Sequence, residues 1–112
     1  MPSETEDLTA VAPCPVEQAI QVIGGKWKLL LLRALLLNGP KRYNELLAAV
    51  AGISAKELTR NLRELESAGL VERQAGASQT ALYGLTALGA ELMPTFASLL
   101  TWGRKLMDTA RA

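Results

Sequence analysis

The stretch from Ser54 to Gly69 constrains the fold more than any other, because both of its ends are specified by neighbouring residues. Ser54 followed three positions later by Glu57 is a capping box, in which each side chain satisfies the other's backbone N–H. Gly69 supplies a left-handed exit, and Leu70 can fold back on Leu65 as a Schellman closure requires. Between these stops Leu58, Leu62 and Leu65 repeat at i, i+4 and i+7. Lys56, Arg60 and Arg63 repeat at the same spacing, with Thr59 beside them. Two steps of about 100° separate Lys56 from Leu58 by about 200°, so the basic stripe faces away from the leucines. The spacing predicts a helix over residues 54–68 with one face in a core and a cationic face in solvent.

Its neighbours extend the pattern. Pro13 and Pro15 bracket Cys14, and Val16, Ala19, Ile20 and Ile23 follow at helical spacing until Gly24 and Gly25. Residues 26–37 are apolar on nearly every side, which predicts a central helix buried nearly all round. Asn38, Gly39 and Pro40 stop it. Lys41, Arg42 and Tyr43 then lead into a short helix carrying Leu46, Leu47 and Val50, broken at Gly52. Two short helices joined by a tight glycine-containing turn predict a helix-turn-helix. Residues 70–73 and 80–85 read as strands around the polar loop 74–79, a hairpin that makes the unit winged. Thr86 caps a last helix with Leu88, Leu92, Phe96, Leu99, Gly103 and Leu106 at intervals of three and four, kinked or broken by Pro94. The fold class is therefore mainly α with a small β-hairpin wing.

Length and composition set the limits. A chain of 112 residues lies within the usual size of one domain. Residues 1–12 are polar and acidic without periodicity, and read as a flexible tail ahead of a domain over 13–112. With no histidine and the single cysteine Cys14, a zinc site, a Ser-His-Asp triad and an intrachain disulfide are excluded by inventory, so neither metal nor cofactor is expected. Gly24, Gly25 and Lys26 lack the rest of a phosphate loop, and Trp27 stands where Ser or Thr is needed. An enzyme is the function class the inventory supports least. Glu4, Glu6 and Asp7 stand where a secretory signal needs positive charge, and the most apolar run is far shorter than the roughly 20 residues of a membrane span. A reducing, cytoplasmic setting is expected.

The net charge of +1 conceals a separation. Residues 26–63 hold Lys26, Lys28, Arg33, Lys41, Arg42, Lys56, Arg60 and Arg63 against only Glu45 and Glu57. A basic region of this kind can face a polyanion, although a basic stripe on an exposed helix is also common as plain solvated surface. The complete order of basic approach, short helix, turn, capped basic helix and hairpin favours double-stranded DNA. Arg and Lys reach guanine O6 and N7 in the major groove, and a helix amino terminus favours phosphate. Ser54, Ala55, Lys56, Thr59 and Arg60 are expected nearest the bases. Arg63, Lys41 and Arg42 are expected on phosphates, and Arg73 near the neighbouring minor groove. The alternative is a protein-interaction module whose basic face binds an acidic partner.

The ordered set of short motifs resembles one family. It comprises Cys14-Pro15-Val16, Ile23-Gly24-Gly25-Lys26-Trp27, Gly39-Pro40-Lys41-Arg42-Tyr43-Asn44-Glu45-Leu46, Gly52-Ile53-Ser54, Leu58-Thr59 and Leu62-Arg63-Glu64-Leu65-Glu66. It continues with Gly69-Leu70-Val71, Tyr83-Gly84-Leu85-Thr86-Ala87-Leu88-Gly89 and Trp102-Gly103. Over about residues 13–107 the chain resembles the HxlR family of winged-helix regulators, which are MarR-like. The resemblance implies a homodimer with the fourth helix in the groove and both terminal helices at the dimer interface. The long apolar stripe of the last helix, including Trp102, independently favours a twin to cover it. Some family members sense oxidants or electrophiles through a cysteine near Cys14. That residue sits at a predicted helix start, a position that raises thiol reactivity, and it reads equally as a small buried hydrophobe at the dimer contact. A small-molecule effector bound at the dimer contact is a further expectation.

Overall fold

The computed structural model describes residues 14–75 and 81–111. The acidic tail, Pro13, the tip of the wing loop over residues 76–79, Thr80 at the start of the expected second strand, and Ala112 lie outside the described residues. The helices are α1 (Pro15–Ile23), α2 (Lys26–Asn38), α3 (Tyr43–Ala49), α4 (Ala55–Ser67), α5 (Ala87–Ala90) and α6 (Met93–Arg111), with strands β1 (Val71–Ala75) and β2 (Ala81–Leu85) between α4 and α5. This is the expected winged helix-turn-helix. α3 and α4 form the helix-turn-helix, and its turn passes through Gly52 at φ 86°, backbone that a side chain would strain.

The local stops act as predicted. Cys14 is the residue before α1 and Pro15 opens it, where the missing N–H is not needed. At the end of α4 Gly69 adopts φ 78°. Its N–H donates to the Glu66 carbonyl at 3.0 Å, and the Leu70 N–H to the Leu65 carbonyl at 3.0 Å. These two bonds are the Schellman pair. Thr86 accepts from the Gly89 N–H at 3.0 Å and donates to the Gly69 carbonyl at 2.6 Å, which ties the start of α5 to the end of α4.

The core lies where α2, α3, α4 and β2 meet. Leu31, Leu32, Leu46, Leu58, Leu62 and Leu65 are its fully buried large side chains, joined by Leu35, Val50, Ile53, Leu70, Val71 and Tyr83. Each leucine so enclosed contributes about 1.5–3 kcal/mol relative to exposure. Asn61 is the buried polar residue of this core, and its Nδ2 donates to the Glu57 carbonyl at 2.7 Å.

Three expectations are corrected. α2 is not buried all round: Leu31, Leu32, Ala34 and Leu35 are inside, whereas Leu37 is 69% exposed. α2 packs on α3, α4 and β2, and its final turn carries Leu37 away from them. The last helix is broken, as Pro94 led one to expect, but the break lies ahead of the proline rather than at it. It falls at Glu91 and Leu92, and Pro94 takes the second position of α6, where no helical hydrogen bond is lost. β1 runs on to Ala75 rather than stopping at Arg73, because Gln74 pairs with Leu82 and Ala75 with Ala81. One pairing escapes the sequence altogether. Lys41 bridges Tyr83 through hydrogen bonds of 2.9 and 2.8 Å, fastening the basic approach to α3 onto the wing.

Candidate nucleic-acid interface

α4 is held at its amino end from three directions. The Glu57 N–H donates to Ser54 Oγ at 3.1 Å, and Glu57 Oε1 accepts from the Ser54 N–H at 3.1 Å, completing the capping box. The other carboxylate oxygen, Oε2, accepts from the Trp27 indole at 2.8 Å, so the cap is bolted to α2. From α3, the Tyr43 hydroxyl lies 2.8 Å from the Ala55 carbonyl and 2.9 Å from Thr59 Oγ1. A carbonyl only accepts, so the single tyrosine proton goes to Ala55 and Thr59 must donate to Tyr43. Thr59 is thereby left to present lone pairs outward. A backbone bond to Ser54, then the Ser54 side chain, the Trp27 indole and the charge of Arg60 together hold the Glu57 carboxyl below the ordinary 4.5, outweighing desolvation.

Burial of Leu58, Leu62 and Leu65 turns Lys56, Arg60 and Arg63 outward together, and all three are exposed. With Ala55, Thr59 and Glu64 they line one open groove along the outer face of α4. Ser54 stands exposed at the head of the helix. A second hollow is lined by Arg42, Tyr43, Asn44 and Glu45 from the start of α3, and by Arg73, Ala81 and Tyr83 from the wing. There Arg73 lies 3.8 Å from Glu66 and 5.5 Å over the Tyr83 ring. The expected site residues therefore fall into two clusters. Ala55, Lys56, Thr59, Arg60 and Arg63 are together on α4; Arg42 and Arg73 are together between α3 and the wing, with Lys41 half-buried at the bridge to Tyr83. Cys14 belongs to neither. It is buried ahead of α1.

The basic count of residues 26–63 overstates the charge on offer. The Lys28 side chain is 14% exposed and is paired with Glu64. Trp27, Tyr43 and Glu64 stand in the sequence motifs, but their contacts to α4 and α2 could not be assigned from sequence. For the pairing of Glu64 with Arg60 a signal was present, since it stands four residues beyond Arg60, the spacing of a helix ion pair.

The profile of the HxlR-like helix-turn-helix family matches residues 22–111. The chain belongs to this family. Among its relatives is the HTH-type transcriptional regulator YdeP of Bacillus subtilis strain 168, 39% identical over 97 residues, which are 85% of this chain and 75% of YdeP. The reduced form of the redox regulator HypR superposes with a TM-score of 0.76 at 36% identity, covering 87% of this chain and 97% of HypR. Quinone-bound YodB from B. subtilis gives 0.71 at 33% identity, covering 80% and 96%. An HxlR-type protein is a transcriptional regulator rather than an enzyme, as the resemblance implied, and redox-responsive regulators stand among this one's relatives. Among the described residues no helix is long and apolar enough to cross a membrane.

The depressed Glu57 carboxyl predicts a pH signature. A carboxyl whose folded-state pKa lies below its unfolded value stabilises the fold above about pH 4.5 and loses that effect as pH falls through the lower folded value. Urea denaturation of the wild type and Glu57→Gln should show the widest stability gap near neutrality, narrowing at pH below 4.5. A gap that does not change with pH would show that the carboxylate charge is not what Ser54 and Trp27 hold.

Proposed function

We propose that this regulator binds double-stranded DNA sequence-specifically as a homodimer, with α4 of each subunit in the major groove. The joint outward projection of Lys56, Arg60 and Arg63 from a helix fixed at both ends carries the reading. A major groove admits one helix, and Arg or Lys can take guanine O6 and N7 there. Ser54, Ala55, Lys56, Thr59 and Arg60 face the bases in this arrangement. Arg63 with Lys41 and Arg42 takes phosphates along the flanks. Arg73, tethered to Glu66 and Tyr83, stands at the base of the wing where the adjacent minor groove would pass.

The dimer reading draws support from α6. At 19 residues it is about 28 Å long, and it has no buried residue in the single chain. Leu99, Leu100, Trp102, Leu106 and Met107 are 44–60% exposed along it, and Val16 and Ile20 are exposed on α1. Apolar area of this extent favours a second copy across the two terminal helices. A cytoplasmic regulator of this kind would read two half-sites about 34 Å apart or a multiple of that.

The effector reading centres on Cys14, the chain's one cysteine. It lies at the start of α1, on the element proposed for the dimer contact, so modification of its sulfur would disturb the spacing of the two α4 helices. The redox-regulator relatives make an oxidant or electrophile the favoured effector class over another small molecule.

Two outcomes test these readings. Binding to duplexes selected from random sequence should weaken steeply with salt. Arg60→Ala should cost about 1–3 kcal/mol on the selected duplex and much less on others. An equal loss on every sequence would make Arg60 a phosphate anchor, and salt-independent or absent duplex binding would favour the protein-interaction module. Diamide should release the wild type from its duplex and leave Cys14→Ser bound, whereas identical behaviour of the two would remove Cys14 as the sensor.

A further inference from the structure

Glu64 is an acid set among bases. It lines the outer groove of α4 with Lys56, Arg60 and Arg63, and its carboxylate is shared between cations of two helices. Oε2 accepts from Lys28 Nζ of α2, and Oε1 lies 4.0 Å from Arg60 Nε. The two cations differ in exposure. The Lys28 side chain is 14% exposed, so it anchors the carboxylate and has little left to offer a ligand. The Arg60 side chain is 64% exposed and remains free to meet one. Lys28 thus fixes the position of Glu64, and Glu64 draws the Nε edge of Arg60 towards itself.

At 4.0 Å the Arg60 contact is charge attraction rather than a hydrogen bond. An exposed i, i+4 pair of this kind adds little to stability. Its influence on direction is a separate matter. A guanidinium carries its five donors in a planar fork, so an Nε–H drawn towards Glu64 leaves the end-on pair of Nη amines as the edge available to a ligand. That is a fork that guanine O6 and N7 can accept together. The carboxylate also repels any phosphate that would approach Arg60, while the edge of a neutral base meets no such net charge penalty.

We infer that Glu64 is a positioning residue for DNA sequence recognition: pinned to α2 by Lys28, it directs Arg60 to a guanine edge and keeps it from phosphate. The inference rests on the DNA-binding reading above and specifies how that surface separates one sequence from another.

The test measures the affinities of wild type, Glu64→Gln, Arg60→Ala and the double variant for the selected duplex and a scrambled one, across a salt series. Glu64→Gln should lower the ratio of selected to scrambled affinity by roughly five- to tenfold, a substantial part of one bidentate base contact. The change should come mainly from tighter scrambled binding, whose log–log salt slope steepens by about 0.9 as Arg60 takes a phosphate. In the Arg60→Ala background the same substitution should leave the ratio unchanged. An unchanged ratio in the single variant overturns the inference. So does a fall of equal size without Arg60, which would mean direct contact by Glu64 or a general effect on the fold. Should Glu64→Gln not fold, Lys28→Met keeps the acid but frees it from α2, and a ratio equal to wild type in that variant overturns the inference instead. A wild type that binds no duplex removes the DNA-binding reading itself; one that discriminates, alongside a Glu64→Gln that discriminates equally, removes only the role of Glu64.

Discussion

Burial of Leu58, Leu62 and Leu65 against α2 and α3 is the constraint on which the rest of the molecule depends. Those three side chains fix the rotation of α4 about its own axis, and with it the direction in which Lys56, Arg60 and Arg63 leave the protein. A slip of one residue would turn the helix by about 100° and carry the basic stripe towards the core. The hydrophobic core thus aims the basic face proposed to meet DNA. The same burial makes the core small and local, because α1, the last turn of α2 and α6 receive little cover from it.

Around that constraint the polar contacts are arranged to fix the helix along its length. Glu57 closes the capping box and accepts the Trp27 indole with its remaining oxygen. Tyr43 reaches across from α3 to the first turn, and Glu64 is tied to Lys28 further along. Individually such exposed or half-exposed contacts are modest. Their common effect is orientation: α4 is joined to α2 at two levels and to α3 at one. A helix so held loses little freedom on entering a groove, which favours affinity through preorganisation.

What the sequence disclosed follows the range of each interaction. The capping box of Ser54 and Glu57, the Schellman exit at Gly69 and Leu70, and the Thr86 cap span three to five residues, so their partners could be read side by side. Contacts that close over long separations could not. Trp27 meets Glu57 across 30 residues and Lys28 meets Glu64 across 36, and no local pattern distinguishes those partners from other charged or aromatic residues. Lys41 paired with Tyr83 is the same case in backbone form. The excess burial assigned to α2 has a different origin. Leucine at a position reports its preference for a covered site, and Leu37 and the exposed residues of α6 have that preference without a cover inside one chain.

The two clusters of cations, the fixed helix and the uncovered terminal helix all support the proposed arrangement, in which two α4 helices held by paired α6 helices would address successive turns of a duplex. The most direct measurement of it is dimethyl sulfate protection on a bound duplex, which reports guanine N7 in the major groove separately from adenine N3 in the minor. The predicted pattern is two patches of protected guanine N7 centred about ten base pairs apart, or a multiple of that. Protection confined to adenine N3, or one unpaired patch of N7, would contradict it.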